Sequence, residues 1–189
     1  MNYYGLADSF SESITILVGF SLKLLGCMNT SLVPSKNCID LITKFEGYRP
    51  LPYICPAGYL TVGIGVRIKS KEDFLKRYPE GISFGDAQKQ MQAHLAKAVV
   101  PGILTSVKVP LNQNQFDAIV DFVYNLGIEA FKESTMLKLL NEGKHDEAGN
   151  QFKRWNKAKV KGELVILAGL TRRRTADHLL YEGKEWKTV

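Results

Sequence analysis

The segment from Phe45 to Gly65 constrains the fold most, because it interrupts a chain whose other parts carry helical patterns. From Pro50 to Ile68 the composition changes to Pro, Gly, Tyr, Val and Ile in short alternating runs. Such runs are typical of an antiparallel hairpin or a three-stranded sheet, and we expect its turn at Ala57-Gly58. The sequence therefore predicts a small antiparallel β-hairpin lobe inserted into a mostly helical domain, an α+β arrangement.

Helical start and stop signals predict the other elements. Ser35 can cap a helix that ends at Glu46-Gly47, where the glycine is a stop signal. Asn112, with Gln115 three residues later, opens the most apolar helix, Phe116–Leu126. Further helices are predicted at Ser83–Val99, Ser134–Glu142, Asp146–Trp155 and Leu170–Tyr181. The segment Asn156–Gly169, between the last two, is predicted to be an irregular basic loop.

The N-terminal part divides the chain into a segment, residues 1–34, and a domain, residues 35–189. Residues 14–27 form an apolar run interrupted by Lys23, which is short for a bilayer span of roughly 20 residues. No Lys or Arg precedes the run, so the positive region of an ordinary signal peptide is missing. Two interpretations stay open, a weak membrane tether or an amphipathic helix packed on the domain.

The charge of the chain favours an anionic partner. The formal net charge of +6 is compatible with nucleic acid, a membrane surface or an acidic cell-wall polymer. Nucleic acid is disfavoured, because no zinc-finger spacing, aromatic RNA-binding motif or long basic helix accompanies the charge.

Cysteine and histidine argue against a metal site. No cysteine pair has zinc-ligand spacing and the three histidines are scattered, so we expect neither a metal nor another cofactor. The cysteines are odd in number, so at most one intramolecular disulfide can form among Cys27, Cys38 and Cys55.

Between Phe45 and Glu72, Glu46 is the only Asp or Glu. A glycosidase needs a protonated acid beside the scissile oxygen and a second group that activates water or attacks the sugar. Glu46, at a helix end facing the hairpin, suits the first role if its surroundings keep it protonated. A second carboxylate is not available in this segment, so the second group must be of another kind.

Cys55 and Thr61 are the candidates for that second role. A thiol and a hydroxyl could jointly hold a water by hydrogen bonds, and the nearby Arg49 and Arg67 could favour the thiolate. The residue types alone favour another interpretation, a solvated carboxylate at Glu46 and a small core residue at Cys55.

A wider pattern decides between these interpretations. Glu46, Cys55 and Thr61, followed by Val62-Gly63-Ile64-Gly65, resemble the catalytic signature of the phage T4-type lysozymes, the family 24 glycoside hydrolases. The similarity extends in register from about residue 36 to residue 183, through Leu111–Ala118, Phe122–Gly127, Phe131, Ser134-Thr135, Gln151-Phe152, Arg154–Asn156 and Gly169–Arg174. This resemblance implies a lysozyme-like fold and a phage or prophage endolysin, of the subgroup that carries Glu, Cys and Thr.

The resemblance implies catalytic roles for the three residues. Glu46 corresponds to the general acid, Cys55 to a position that is usually Asp, and Thr61 to a residue that helps to place the attacking water. By family analogy the reaction would proceed with inversion. In some members of the subgroup a disulfide masks the cysteine while the enzyme is tethered to the membrane, and Cys38 or Cys27 could mask Cys55 in this way.

Other side chains are expected to contact the substrate or the surface polymer. Asn125 resembles a polar residue of the family's cleft that contacts saccharide. The aromatic side chains Tyr53, Tyr59 and Trp155 could stack on sugar rings, although Trp155 at a helix end also suits the core. Arg172–Arg174 could bind an anionic polymer, or form salt bridges and a solvated helix face.

The expected function is that of a muramidase, which hydrolyses the β-1,4 bond between N-acetylmuramic acid and N-acetylglucosamine in peptidoglycan and lyses the host. We expect a monomer that is made in the bacterial cytoplasm and acts in the periplasm, exported by a holin or by its N-terminal segment. Association of residues 14–27 with the membrane would then be transient. The alternatives are a lytic transglycosylase, and a non-catalytic cationic protein that acts on the wall or membrane.

Overall fold

The computed structural model describes residues 29, 31–55, 58–160 and 162–189. The apolar run at residues 14–27 and Cys27 lie outside the described residues, so the division of the chain at residue 34 stays a prediction. In the described ranges, no helix combines the length and the apolar character needed to cross a membrane.

Helix α1 (Lys36–Glu46) carries the candidate acid at its last position. The side chain of Ser35 accepts a hydrogen bond from the backbone N–H of Asn37, 3.1 Å away, and so caps the first turn. Gly47 ends the helix with a φ of 71°, a backbone conformation that favours glycine. Both predicted helix signals are thus confirmed, and together they determine where along the chain Glu46 leaves the helix.

The β-lobe is a three-stranded antiparallel sheet of strands β1 (Arg49–Ile54), β2 (Leu60–Gly63) and β3 (Val66–Arg67), paired in chain order. This confirms the predicted lobe. At its first turn, the N–H of Gly58 donates to the carbonyl of Cys55 at 2.8 Å, and residues 56 and 57 lie outside the described residues.

The helical body follows the β-lobe. Its elements are α2 (Lys71–Arg77), α3 (Phe84–His94), a π-helical turn (Leu95–Val99), α4 (Val100–Ser106), α5 (Gln113–Leu126), α6 (Ile128–Lys132), α7 (Thr135–Asn141), α8 (His145–Asn150), a 3-10 turn (Phe152–Arg154) and α9 (Ala168–Tyr181). The helix predicted over Asp146–Trp155 is therefore divided between α8 and the 3-10 turn.

Helix α5 is the centre of the core. Its N-terminus carries the predicted capping box, in which Asn112 and Gln115 exchange side-chain to backbone hydrogen bonds of 2.9 and 3.0 Å. Its buried side chains pack against α1 and α9, so these two helices meet across the same central element. Trp155 places its ring perpendicular to that of Phe122 at 5.3 Å, which makes it a residue that packs on the core and not one of the side chains lining the cleft described below.

The predicted loop at Asn156–Gly169 is wrong. This segment forms an antiparallel hairpin of β4 (Lys157–Val160) and β5 (Glu163–Ile166). Val160 pairs with Glu163, so two residues connect the strands, and Gly162 has a φ of 92°. A tight turn of this kind needs a positive φ, which glycine adopts freely, and the basic character of the segment concealed this signal.

Candidate active site

A cleft of about 560 Å³ lies between the sheet of the β-lobe and the helices α3, α5 and α6. The predicted residues Glu46, Cys55, Thr61, Tyr53 and Asn125 all line it. Among its described lining residues, Glu46 is the only carboxylate. The fold therefore brings together side chains that are up to 79 positions apart in the sequence, and the chemistry of the cleft depends on one acid.

One oxygen of Glu46 is held by an arginine that sequence reasoning had treated only as part of a basic run. Oε1 accepts a hydrogen bond from the Arg173 guanidinium at 2.7 Å, and the Glu46 side chain keeps 23% of its surface exposed. In the described part of the chain, no hydrogen bond reaches the second oxygen, Oε2, which faces Gly65. Arg173 thus orients the carboxyl group while one oxygen remains available to the cleft.

Asp121 on helix α5 holds Arg173 in turn. The guanidinium donates two hydrogen bonds to this carboxylate, at 2.9 and 2.8 Å, and both side chains are almost completely buried. Burial alone would lower the pKa of Arg173, but the charges and hydrogen bonds of Asp121 and Glu46 outweigh it and raise that pKa above its ordinary value. Arg173 is therefore a permanent cation beside the candidate acid.

The buried charge cluster continues away from the cleft. Arg174 is fully buried, with Nε 2.9 Å from Asp177 Oδ2 but without hydrogen-bond geometry, and Nη2 3.6 Å from Asp121. Burial, and then the charge of Asp121, raises the pKa of Asp177 well above its usual range. Only Arg172 of the three predicted cations is exposed. The salt-bridge interpretation is thus correct for Arg173 and Arg174, and the binding of an anionic polymer by these two is excluded by their burial.

The sheet places three side chains in one row that faces the cleft. Tyr53 pairs with Thr61 across β1 and β2, and Thr61 pairs with Arg67 across β2 and β3. Residues directly opposite one another in an antiparallel sheet point to the same face, about 5 Å apart at Cβ. Cys55 follows Tyr53 by two positions and lines the same cleft. The row therefore sets Thr61 between an aromatic ring and a guanidinium.

The hydroxyl of Thr61 has a defined orientation. It is buried and donates its hydrogen to the carbonyl of Tyr59 at 3.0 Å. Because the only hydroxyl hydrogen is used in this way, the oxygen can act towards the cleft only as an acceptor.

Cys38 does not meet the requirement for masking Cys55. Its side chain is completely buried on the inner face of α1, and it forms no disulfide with a described residue. Burial, followed by the nearby carboxylate of Asp117, raises the pKa of its thiol well above the ordinary value. Thiol exchange needs an accessible thiolate, so of the two predicted masking residues only Cys27, outside the described residues, remains.

His94 and Tyr124 also line the cleft, and sequence reasoning missed both. Tyr124 donates its hydroxyl hydrogen to the carbonyl of Ile64 at 2.7 Å. Burial, and then the carboxylate of Glu46, raises the pKa of this hydroxyl, which therefore remains a donor. The His94 ring stands edge-on to Tyr124 at 5.8 Å, at the end of α3 where the π-helical turn begins. The apolar periodicity of the sequence contained no signal for this position.

Two predicted binding residues differ in their surroundings. Tyr53 lines the cleft, whereas Tyr59 is not among its described lining residues and carries the Arg67 guanidinium 3.5 Å from its ring centroid.

In the described ranges, no group of three His, Cys, Asp or Glu side chains is placed to hold a metal ion.

Gly65 gives a first test of the geometry around Glu46. The backbone at this position has a φ of 73°, which would strain any residue other than glycine. A Cβ added here would lie 3.1 Å from Glu46 Oε2 and 3.2 Å from the Tyr124 hydroxyl. We expect Gly65→Ala to lower the free energy of unfolding by about 1 kcal/mol or more and to reduce hydrolysis as well. Gly143→Ala is the matched control, because Gly143 has a φ of 76° and open space around its Cβ position. The expectation would be wrong if Gly65→Ala and Gly143→Ala had the same melting temperature and the same rate of hydrolysis in a turbidity assay.

The comparisons with known proteins agree with this geometry. The family model of phage lysozyme matches residues 43–177. The chain belongs to the phage lysozyme family. It is therefore a peptidoglycan-hydrolysing glycoside hydrolase, as the sequence predicted, and the resemblance of its motifs to the phage lysozymes is confirmed at the level of the family.

Individual relatives of this phage lysozyme family member cover most of its length. It is 40% identical to an endolysin of Acyrthosiphon pisum secondary endosymbiont phage 1 over 154 residues, which are 79% of this chain and 97% of that protein. The muramidase domain of SpmX from Asticaccaulis excentricus superposes with a TM-score of 0.70 at 34% identity, covering 79% of this chain and 97% of that chain. An endolysin from Escherichia coli O157:H7 phage FAHEc1 gives 0.69 at 30% identity, with 84% and 96% covered. The lysozyme-like fold is thus confirmed.

Proposed function

We propose that this phage lysozyme is an endolysin of the Glu-Cys-Thr subgroup, and that it hydrolyses the β-1,4 bond between N-acetylmuramic acid and N-acetylglucosamine. The observation that carries the proposal is the position of Glu46 in the cleft. It is the only carboxylate among the described residues of the cleft, with one oxygen bound by Arg173 and the other, beside Gly65, without a hydrogen bond from the described residues. This arrangement suits a single acid that acts on a bound glycan.

Glu46 is the general acid of the proposed reaction. It transfers its proton to the glycosidic oxygen as the bond to the anomeric carbon breaks, and the leaving sugar departs as an alcohol. The carboxylate that remains is stabilised by the charge of Arg173, 2.7 Å away. Arg173 and Asp121 are positioning residues, because they act on the substrate only through Glu46.

Water held by Cys55 and Thr61 supplies the second half of the reaction. Thr61 Oγ1 can only accept from this water, because its own hydrogen is donated to Tyr59. The water attacks the anomeric carbon on the face opposite the leaving group, and its proton passes to the thiolate sulfur of Cys55, which becomes a neutral thiol. A proton returns to Glu46 from this thiol through solvent before the next turnover. Attack from that face inverts the configuration at the anomeric carbon.

Asn125 and Tyr53 bind the sugars in this proposal. Asn125 Oδ1 is buried and has no hydrogen-bond partner among the described residues, although its side chain lines the cleft. An unsatisfied buried acceptor is costly, and a sugar hydroxyl or acetamido N–H would satisfy it. Tyr53 offers an aromatic surface beside Thr61, on which a sugar ring can stack.

The cellular setting follows from the same reaction. Endolysins act on the cell wall, and we place this enzyme in the periplasm as a monomer without nucleic-acid partners. A transient membrane association through residues 14–27 and export by that segment or a holin are parts of the proposal.

Product analysis tests the function. Mass spectrometry of digested peptidoglycan should show reducing N-acetylmuramic acid ends, each with the mass of one added water. Ends of the 1,6-anhydro type would instead identify a lytic transglycosylase, and ends at N-acetylglucosamine would show that the other β-1,4 bond is cleaved.

Cys55 can be tested against the residue that is usual in the family. We expect Cys55→Ala to reduce hydrolysis by about 10²-fold or more, and Cys55→Asp to keep substantial activity, because a carboxylate can also accept the proton of the water. Under reducing conditions, alkylation with iodoacetamide should inactivate the wild type but not Cys55→Asp. A mild effect of Cys55→Ala would make Cys55 a packing residue.

A further inference from the structure

Arg67 is a cation of the cleft that no carboxylate of the described chain neutralises. It lies on β3 directly opposite Thr61 and lines the cleft. Arg67 forms no salt bridge with any Asp or Glu that the structure describes, whereas Glu46, the only carboxylate of the described lining, is bound to Arg173. One guanidinium is therefore available beside the residues that hold the attacking water.

Tyr59 orients this guanidinium. The Arg67 Cζ atom lies 3.5 Å from the centroid of the Tyr59 ring, which is contact distance for stacking. A stacked guanidinium keeps its N–H groups at the edge free to donate and loses less conformational freedom when it binds an anion. The contact thus prepares Arg67 for a planar, bidentate acceptor such as a carboxylate.

His94 adds no second fixed cation to the cleft. Burial, and then the charge of Arg67, lowers the pKa of its imidazole below the ordinary value of 6.5, so the ring is neutral at pH 7. The described lining of the cleft therefore presents one fixed positive charge, at Arg67, that is not bound to a carboxylate.

We propose that Arg67, stacked on Tyr59, binds a carboxylate carried by the muramoyl residue of the substrate and so distinguishes peptidoglycan from uncharged β-1,4 glycans. The inference rests on the proposed function. Two groups of a muramoyl residue have this chemistry, namely the carboxylates of the stem peptide and the lactyl carboxylate that is exposed where the peptide has been removed. Chitin-like glycans of N-acetylglucosamine carry neither.

Three substrates separate these sources. Wild type and Arg67→Gln are compared by kcat/KM on native peptidoglycan, on the same material with its carboxylates converted to amides, and on glycan strands stripped of peptides by an amidase. We expect Arg67→Gln to lose about ten- to a hundredfold wherever the recognised carboxylate is present, the usual effect of losing a hydrogen bond to a charged group. Loss confined to native peptidoglycan identifies the stem peptide, and loss confined to stripped strands identifies the lactyl group. Equal activity of the two proteins on both would overturn the proposal.

Amidation distinguishes carboxylate recognition from other roles of Arg67. If native peptidoglycan shows the loss, the wild type should fall on the amidated substrate to the level of Arg67→Gln, and the variant should fall no further. If the variant lost the same factor on native and amidated material, Arg67 would act on Cys55 or on the fold and the proposal would be wrong. A wild type that cleaves none of the substrates would refute the proposed function instead.

Arg77 provides the matched control. Its guanidinium also lies over a tyrosine ring, 5.4 Å from the centroid of Tyr78, but Arg77 is exposed and is not among the described lining residues of the cleft. Arg77→Gln should differ from the wild type by less than about twofold on every substrate, as expected for an exposed charge outside the site. Arg67→Lys, which keeps the charge but loses the planar fork, should recover only part of the activity.

His94 gives a readout that does not depend on turnover. Because Arg67 disfavours the imidazolium, the pKa of His94 followed by NMR should rise in Arg67→Gln. N-acetylmuramyl dipeptide should raise it in the wild type by neutralising Arg67, and the N-acetylglucosamine disaccharide should not. An equal response to both probes would contradict carboxylate binding at Arg67.

Discussion

We expect the Glu46→Gln variant to lose peptidoglycan hydrolysis by about 10²- to 10⁴-fold, the range typical of removing a general acid. The amide cannot transfer a proton to the glycosidic oxygen, although its size and its acceptor oxygen are preserved. Arg173 can still donate to that oxygen, and its two hydrogen bonds to Asp121 remain. The fold should therefore survive, and circular dichroism and thermal melts should resemble those of the wild type.

The control for this variant is Glu142→Gln. Glu142 lies in an exposed ion pair with Lys144, 2.8 Å away, and the same chemical change there should leave hydrolysis unaltered. Full activity of Glu46→Gln would refute the assignment of the acid. Cell killing retained without glycan cleavage would indicate a membrane-active function of a cationic protein, and measuring both activities on one preparation separates the two.

The second large effect is expected in stability. Asp121→Ala removes a completely buried carboxylate and leaves the Arg173 guanidinium, 5% exposed, with Glu46 alone. Removing one partner of a buried ion pair typically costs about 3–5 kcal/mol, because the other charge stays buried without compensation. We expect a loss of this size in the free energy of unfolding from urea titrations. Hydrolysis below the melting temperature should also fall, since Arg173 no longer holds Glu46 in place.

Asp86→Ala isolates the effect of burial. Asp86 is also paired with a cation, Lys89 at 3.2 Å, but both side chains are exposed to solvent. Exposed pairs contribute about 0–1 kcal/mol, so this variant should stay close to the wild type. If Asp121→Ala were as stable as Asp86→Ala, the buried cluster would contribute little to the fold and its role would lie in positioning Glu46.

Local signals explain why much of the fold was predictable. The cap at Ser35, the glycine after Glu46 and the capping box of Asn112 and Gln115 act within a few residues, and all three form as expected. The β-lobe was also predictable, because Pro and Gly at its turns and the alternation of side chains along each strand are local signals. The hairpin at Lys157–Ile166 was missed because its charged residues were taken as the sign of a solvated loop.

The site was predictable only where a residue's role depends on its type and spacing. Glu46, Cys55 and Thr61 lie in one continuous segment and share the cleft, and Asn125 lies in the last turn of helix α5, which borders it. Arg67 was named only as one of two cations that could favour a thiolate at Cys55, and His94 was not singled out, since a basic residue in a strand and a histidine in a helix are common. Both residues gain their roles from their neighbours in the fold. Arg67 lies opposite Thr61 in the sheet, and the His94 ring contacts Tyr124.

The sequence by itself identified the family to which the chain belongs, and it predicted where the acid stands and which residues replace the second carboxylate. Only the tertiary structure decided which arginine of a run of three holds Glu46, 127 positions away, and that Cys38 is unavailable to Cys55. The physical reason is burial. A charge or thiol changes its chemistry when it leaves water, and whether it does so depends on elements that α5 brings together from distant parts of the chain.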